Sequence, residues 1–336
     1  MKLDFDPRKN ITTFDNIAMP LKTQMKKACS LIDNLLVVHS IVKNWQDVSL
    51  FRMGIKKVGF VMELRNGKNI RINKPEDYFS FWETKGAQEK LIKQKGYNKL
   101  VKIHIFDKKI LLKSNRAVTN FYYDNNKQLA NTMGVIKEQF IDEQYKWLCV
   151  EGKNVIDIGA NIGDTAIYFA SKGARHVYAF EPYPYSYNIA NKNIRLNKLQ
   201  NKITLVNKGC GGEGIKIKID ENYKNFGGTD LKSFKNGKEM RVTTLTMIIK
   251  KFNIKYPSVL KIDCEGCEYG VLLKGNYSDL RKFKQIQIEY HYGYLNLKKK
   301  LEGAGFKVTN TLPKCSDNSE AENRKMYAGL IYAVRV

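Results

Sequence analysis

From Asn154 onward the chain alternates short apolar runs with longer stretches whose apolar residues recur every three or four positions. The short runs Val155–Ile158, Val177–Phe180, Ile203–Val206, Val259–Ile262 and Gln285–Glu289 read as strands. Between and after them, Asp164–Lys172, Tyr185–Asn197, Leu245–Phe252, Glu268–Leu273 and Leu295–Gly303 carry helical periodicity. Near-continuous apolar runs suit strands buried on both faces, and their alternation with amphipathic helices builds βαβ units around a parallel sheet. The C-terminal end breaks the rhythm. "FKVTN" and "YAGLIYAVRV" are two strands with only a polar loop between them. That pairing predicts an antiparallel hairpin closing one edge of the sheet.

Upstream, the pattern differs. Residues 1 to about 50 read as helical, with Leu31, Ile32, Leu35, Leu36, Val38 and Ile41 near helical spacing. "KKVGFVMELRNGKNIRIN" places two alternating runs around Asn66-Gly67, a hairpin signal, and "KLVKIHIFDKKILLKS" repeats the device around Asp107-Lys108. "VIKEQFIDEQYKWLCVEG" reads as a helix leading into the glycine-rich region. The expected organisation is an accessory α+β region over residues 1–130, a candidate for acceptor binding, and an α/β domain over residues 131–336. Five parallel strands plus an antiparallel hairpin predict the Rossmann-like sheet of class I methyltransferases. An all-parallel dinucleotide-binding sheet would lack the hairpin.

Composition narrows the setting. Of 336 residues, 43% are hydrophobic, enough for a sizeable core and against wholesale disorder. "LIDNLLVVHSIV" is too short to span a bilayer and carries Asp33 and His39. The charged stretch Met1–Lys9 has no apolar signal segment. The expectation is a cytoplasmic protein, with the membrane surface as a peripheral contact. Six cysteines in so long a chain make no disulfide framework, and Cys264 and Cys267 read as small side chains packed near a turn. The net charge of +25 draws anionic partners, but the lysines are dispersed and no basic arm is present.

The chemistry concentrates in two motifs. In "NVIDIGANIGDTAIYFASKGARHVYAFEP", Gly159 follows the first strand, Gly163 opens a helix, and Glu181 ends the second strand. Ligands of open parallel sheets bind beyond such strand ends, and an acid after the second strand accepts ribose hydroxyls. A nicotinamide cofactor asks for G-x-G-x-x-G facing a pyrophosphate. Here Asn161 takes the middle position, while Asp157 and Asp164 would repel a pyrophosphate. Acids beside the turn suit a cation, and S-adenosylmethionine carries an ammonium and a sulfonium. The second motif, "VLKIDCEGCEYGVL", sets Asp263, Glu265 and Glu268 at the end of the fourth strand. Carboxylates this close raise at least one pKa, and one of them serves as a general base for a hydroxyl or as a ligand for a divalent metal. Asp263 is the first candidate base, and His291, after the fifth strand, is the other.

The D-x-G-A-N-x-G, E-P and K-x-D-x-E-G-x-E patterns occur here in that order, followed by "IQIEYH". Over roughly Val135–Val334 the chain resembles the FkbM family of SAM-dependent methyltransferases. The resemblance implies a class I fold and O-methylation of sugars or related hydroxyls. It implies that Asp157, Gly159, Asn161, Gly163 and Glu181 hold the cofactor, and that Lys261, Asp263, Glu265, Gly266 and Glu268 form the second signature. Thr246 stands where the family often has an acid, and Cys264 and Cys267 replace aliphatic and small residues. The expected partner is a small-molecule or glycan acceptor, with an anionic carrier or membrane surface attracted by the net charge. An RNA acceptor is the alternative. A base-methylating N/D-P-P-Y/F motif is missing, since "EPYPY" follows the second strand.

Overall fold

The computed structural model describes residues 39, 42–52, 55–65, 67–74, 77, 102–106, 109–113, 118–123, 132, 134–220, 237–316 and 326–335. The chain divides into two compact units, Asn16–Met133 and a unit containing Gly134–Val336.

In the first unit, helix α1 (Trp45–Arg52) accompanies the antiparallel pair β1 (Phe60–Glu63) and β2 (Asn69–Ile72). Val42, Val48, Phe60, Met62, Leu64 and Ile72 form its small core. Strands β3 (Lys102–Phe106), β4 (Lys109–Lys113) and β5 (Val118–Tyr122) make a three-stranded antiparallel sheet. Both expected hairpins are therefore present, with β5 as an added strand. Asn66, Asp107, Lys108 and residues 1–38, 40 and 41 of the region expected to be helical lie outside the described residues.

The second unit carries the α/β pattern. Its strands are β6 (Asn154–Ile158), β7 (His176–Phe180), β8 (Ile203–Val206), β11 (Ser258–Ile262), β12 (Phe283–Tyr290), β13 (Phe306–Asn310) and β15 (Met326–Arg335), in the order β13-β15-β12-β11-β6-β7-β8. Five run parallel through β12. β15 inserts antiparallel between β12 and β13, so the expected C-terminal hairpin puts its second strand inside and its first at the edge. β14 (Lys314–Ser316) pairs with β15 beyond it. This is the class I methyltransferase strand order. β6 and β11 are buried at every position, the reason their runs do not alternate.

The helices are α2 (Asp164–Ser171), α3 (Pro184–Leu196), α4 (Leu245–Lys251), α5 (Glu268–Leu273), α6 (Tyr277–Leu280) and α7 (Leu295–Gly303). Pro184 starts α3 at a position that needs no N–H donor, and the Thr244 hydroxyl caps α4 by accepting from the Met247 amide at 3.2 Å. Buried Asn193 of α3 donates its Nδ2–H to the Ile162 carbonyl at 2.8 Å, tying that helix to the glycine turn. A further antiparallel pair, β9 (Lys216–Ile219) with β10 (Lys238–Arg241), follows β8.

The segment after Val135 departs from expectation. Its helix lasts only through a π-helical turn at Lys137–Ile141, and Glu143 then adopts φ 50°. Lys172 holds that turn, with Nζ 2.7 Å from Glu143 Oε1. The following residues form tight turns beside β12, the Lys146 and Leu148 amides donating to the Glu143 and Tyr145 carbonyls at 3.0 and 3.1 Å. Gln287 donates to the Gln144 carbonyl at 2.9 Å, and Gln285 binds the Cys149 amide and the Trp147 carbonyl at 2.7 and 2.9 Å. Three backbone groups satisfied by strand side chains replace the helical bonds lost.

Candidate active site

The C-terminal ends of β6, β7, β8 and β11 open onto one cleft of about 720 Å³, counting the part open to solvent. Gly159 and Asn161 line it after β6, Glu181 and Tyr183 after β7, Lys208 and Cys210 after β8, and Asp263, Cys264, Glu265 and Cys267 after β11.

Glu181 is buried at the cleft wall. Its two carboxylate oxygens accept from the amides of Asn161 and Tyr183, both at 2.9 Å. Asn161 reaches this position through φ 46°, a left-handed conformation that asparagine tolerates. Burial raises the Glu181 pKa to about 8, against the opposing pull of the two amides. Free lone pairs on a carboxylate this poorly solvated suit the paired hydroxyls of a ribose.

Gly159 has a second task. With φ 82°, a Cβ there would sit 1.7 Å from the Asp263 carbonyl oxygen and 2.7 Å from its carbon. The glycine therefore lets the two motifs touch backbone to backbone. The Asp263 amide donates to the Ile158 carbonyl at 3.0 Å, and Lys261 Nζ donates to the Gly159 carbonyl at 2.8 Å.

Lys261 is 1% exposed and Asp157 is 0% exposed. Lys261 Nζ lies 3.1 Å from Asp157 Oδ1 and 3.8 Å from Asp263 Oδ2. Burial pulls the Lys261 pKa down, but Asp157, Asp263 and Asp164 outweigh it and the net shift is upward. Asp157 also accepts from the Thr165 hydroxyl at 2.6 Å. Asp164 is buried at the start of α2, burial raises its pKa to about 7, and its Oδ1 has no hydrogen-bond partner among the described residues. Gly163, at φ 82°, packs against Ala190 of α3. Asp157, Gly163 and Asp164 thus shape the floor behind the cleft and are absent from its described lining.

On the other side of the strand ends, the Tyr145 hydroxyl donates to Asp263 Oδ2 at 3.0 Å. The register that pairs Ile262 with Ile288 sets Asp263 beside Glu289. Gln144 Nε2 donates to Glu289 Oε2 at 2.8 Å. Burial first, and then the Asp263 charge, raise the Glu289 pKa to about 8. Tyr145, Gln144 and Glu289 went unread as site residues in the sequence. The first two sit in the segment that reads as helix, and only the "IQIEYH" pattern hinted at the third.

Glu265 and Glu268 do different things. Glu268 is fully buried, accepting from the Gly266 amide at 2.9 Å, the His291 amide at 3.1 Å and His291 Nδ1–H at 2.9 Å. Glu265 stays half-buried, turned by φ 56° so that Oε2 lies 3.2 Å from His291 Nε2. Burial pulls the His291 pKa down, but Glu268, Glu265 and Asp263 carry it up to about 10. The two flanking carboxylates favour the imidazolium, and His291 would have to give up that proton before serving as the candidate base expected from the sequence. Asp263, Glu265 and His291 bring three ligand-type atoms within 4.8 Å of one another. A divalent cation there would have to displace the His291 proton that already neutralises the set.

Cys264 and Cys267 are joined by a disulfide, which corrects the expectation of side chains that merely pack. Positive φ at Glu265 and Gly266 folds the chain between them into a turn with a Cα–Cα distance of 5.5 Å. Thr246, in the place of a family acid, donates to Asp279 and does not line the cleft.

Comparison with known proteins agrees with the motifs. Residues 157–308 match the family model described as the Methyltransferase FkbM domain. A 55-residue stretch is 40% identical to the ribosomal protein L11 methyltransferase of Carboxydothermus hydrogenoformans, covering 16% of this chain and 18% of that protein. Among solved structures, the METTL16 methyltransferase domain matches with a TM-score of 0.38 and 15% identity, over 82% of this chain and 86% of that one. The magnesium protoporphyrin IX methyltransferase of Synechocystis PCC 6803 matches with a TM-score of 0.34 and 15% identity, over 62% and 83%. No helix among the described residues is long and apolar enough to cross a membrane.

Proposed function

From a chain whose residues 157–308 match the Methyltransferase FkbM domain, we propose an S-adenosylmethionine-dependent methyl transfer to a hydroxyl of a sugar, glycolipid or related metabolite. The observation that carries the reading is the placement of Glu181 and Asp263 on one cleft, with Glu289 next to Asp263 across the strand ends. Buried Glu181 offers a ribose site, and Asp263 and Glu289 stand side by side at the adjoining strand ends. The cofactor, when bound, supplies a methyl group already activated by its sulfonium.

The chain's own residues then have separable tasks. Glu181 and the backbone after Gly159 bind and orient the nucleoside part. Asp263, fixed by the Tyr145 hydroxyl and drawn toward Lys261, orients the acceptor hydroxyl. Glu289, with a pKa of about 8, takes the hydroxyl proton, since a base works best when its pKa lies near the working pH. The His291–Glu268 pair holds Glu265 on the acceptor side. Alignment of acceptor oxygen, methyl and sulfur supplies the larger share of the rate.

The net charge of +25 favours an RNA acceptor as the second reading. The acceptor side itself argues the other way. Asp263 and Glu265 would meet a phosphate backbone with like charge, whereas they accept from neutral hydroxyls. Calorimetry with S-adenosylhomocysteine tests the binding half. Glu181→Ala should weaken it by about 1–3 kcal/mol, the worth of hydrogen bonds to a charged group. Unchanged affinity in that variant would remove Glu181 from the ribose role.

A further inference from the structure

We infer that Cys264 and Cys267 form a reversible dithiol–disulfide site, which exchanges with low-molecular-weight disulfides of the glutathione class and sets the geometry of the acid loop from Asp263 to Glu268. Three observations carry this. The bridge spans the loop that bears Asp263, Glu265 and Glu268, and both cysteines line the cleft. The turn between them runs through left-handed φ at Glu265 (56°) and Gly266 (114°), a conformation that a non-glycine residue such as Glu265 adopts only when its surroundings hold it. Cys264 Sγ also lies 3.6 Å from Glu268 Oε2.

That last contact changes character with redox state. A bridged sulfur carries no proton and gives Glu268 nothing. In the dithiol, the Cys264 S–H becomes a donor to Glu268 Oε2 and competes with the Gly266 amide for the same oxygen, 2.9 Å away. Reduction therefore releases the turn covalently and redistributes the bonds of the carboxylate that holds His291, and through His291 it loosens Glu265. The Asp263 backbone, pressed against Gly159, relays the change to the cofactor turn.

The exchange balances. Cys264, half-buried, is the outer sulfur, and Cys267 is buried. The Cys264 thiolate attacks one sulfur of the incoming disulfide, and the departing thiolate takes up the proton that Cys264 lost. Cys267 then loses its proton, its sulfur attacks Cys264 in the mixed disulfide, and the second small thiol leaves. Two protein S–H bonds are replaced by one S–S bond, and one small disulfide becomes two thiols.

The test uses the full chain equilibrated in glutathione buffers from fully reduced to fully oxidised, then acid-quenched and alkylated. Peptide mass mapping should show Cys264 and Cys267 passing together from alkylated to bridged, while Cys149 does not follow them. Cys267→Ala should instead trap one glutathione on Cys264. Hydrogen exchange at the Gly266 amide should be about tenfold faster in the dithiol, as for a locally opened segment. The Cys264→Ser/Cys267→Ser variant should show the fast rate in every buffer. Alkylation of both cysteines across the whole range, or equal exchange in the two states, would overturn the inference. S-adenosylhomocysteine binding measured in parallel separates the two readings. Its absence in both states would sink the methyl-transfer proposal and leave the thiol result standing.

Discussion

Replacing Gly159 with alanine separates two costs that the structure makes calculable. The first is backbone. At φ 82° an L-residue is strained by about 1–2 kcal/mol. The second is contact. The new Cβ would stand 1.7 Å from the Asp263 carbonyl oxygen, so the second motif must retreat by about 2 Å to restore an ordinary contact. Both colliding atoms are backbone, pinned through the Asp263 amide and Lys261, so no side chain can swing away. Overpacking of this kind costs about 1–3 kcal/mol, for a total of about 2–5 kcal/mol. Gly152 is the internal control, with φ 68° and nothing within 4 Å of its would-be Cβ. Gly152→Ala should lose only the backbone part. Chemical denaturation of both variants reads the difference directly. Turnover reads the other consequence, since a shift of about 1 Å in Asp263 costs roughly a hundredfold in alignment. Equal destabilisation in the two variants would refute the close-approach argument.

Three further outcomes follow from the charges. Lys261→Met leaves Asp157 buried without its cation and should cost about 3–5 kcal/mol in denaturant unfolding; adding Asp157→Asn should recover most of it, and no recovery would mean the pair is not the source. Ribose hydroxyls donating to Glu181 favour its ionised form, so ligand binding lowers a pKa that stands at about 8 in the free cleft. S-adenosylhomocysteine should therefore bind with proton release and more tightly as pH rises from about 6 to 8, measured by calorimetry in buffers of different ionisation enthalpy; flat affinity without proton release would count against the assignment. Glu289 is a base only once ionised, so turnover should rise with pH through about 8. Glu289→Gln should abolish that rise and cut turnover by about a hundredfold or more while S-adenosylhomocysteine affinity holds, and a preserved pH profile would return the base role to Asp263.

Much of the fold was legible because buried parallel strands carry continuous apolar runs. β8, α5 and α7 begin and end where the pattern places them, and the other strands and helices expected after Asn154 differ by one or two residues at most. The glycines, Glu181 and the acid-rich second motif were legible because their residue types are unusual at strand ends. What escaped depends on contacts between distant parts of the chain. Nothing local in "FIDEQYKW" reveals that the helix will stop at Ile141 and that Gln285 and Gln287 will hold the turns after it, delivering Tyr145 and Gln144 to the site. The fates of Asp157 and Glu268 were equally hidden. Their charge is visible in the sequence, but their burial against Lys261 and His291 is set by strand neighbours a hundred residues apart and by a loop that folds back.

Transfer of a labelled methyl group from S-adenosylmethionine into separated carbohydrate, glycolipid and RNA fractions of the source cell tests the central claim most directly. The account predicts alkali-stable label in a carbohydrate or glycolipid fraction, present with the intact chain, lost with Glu181→Ala and strongly reduced with Glu289→Gln. Label confined to RNA, with a steep loss of RNA affinity as salt rises, would contradict the acceptor assignment.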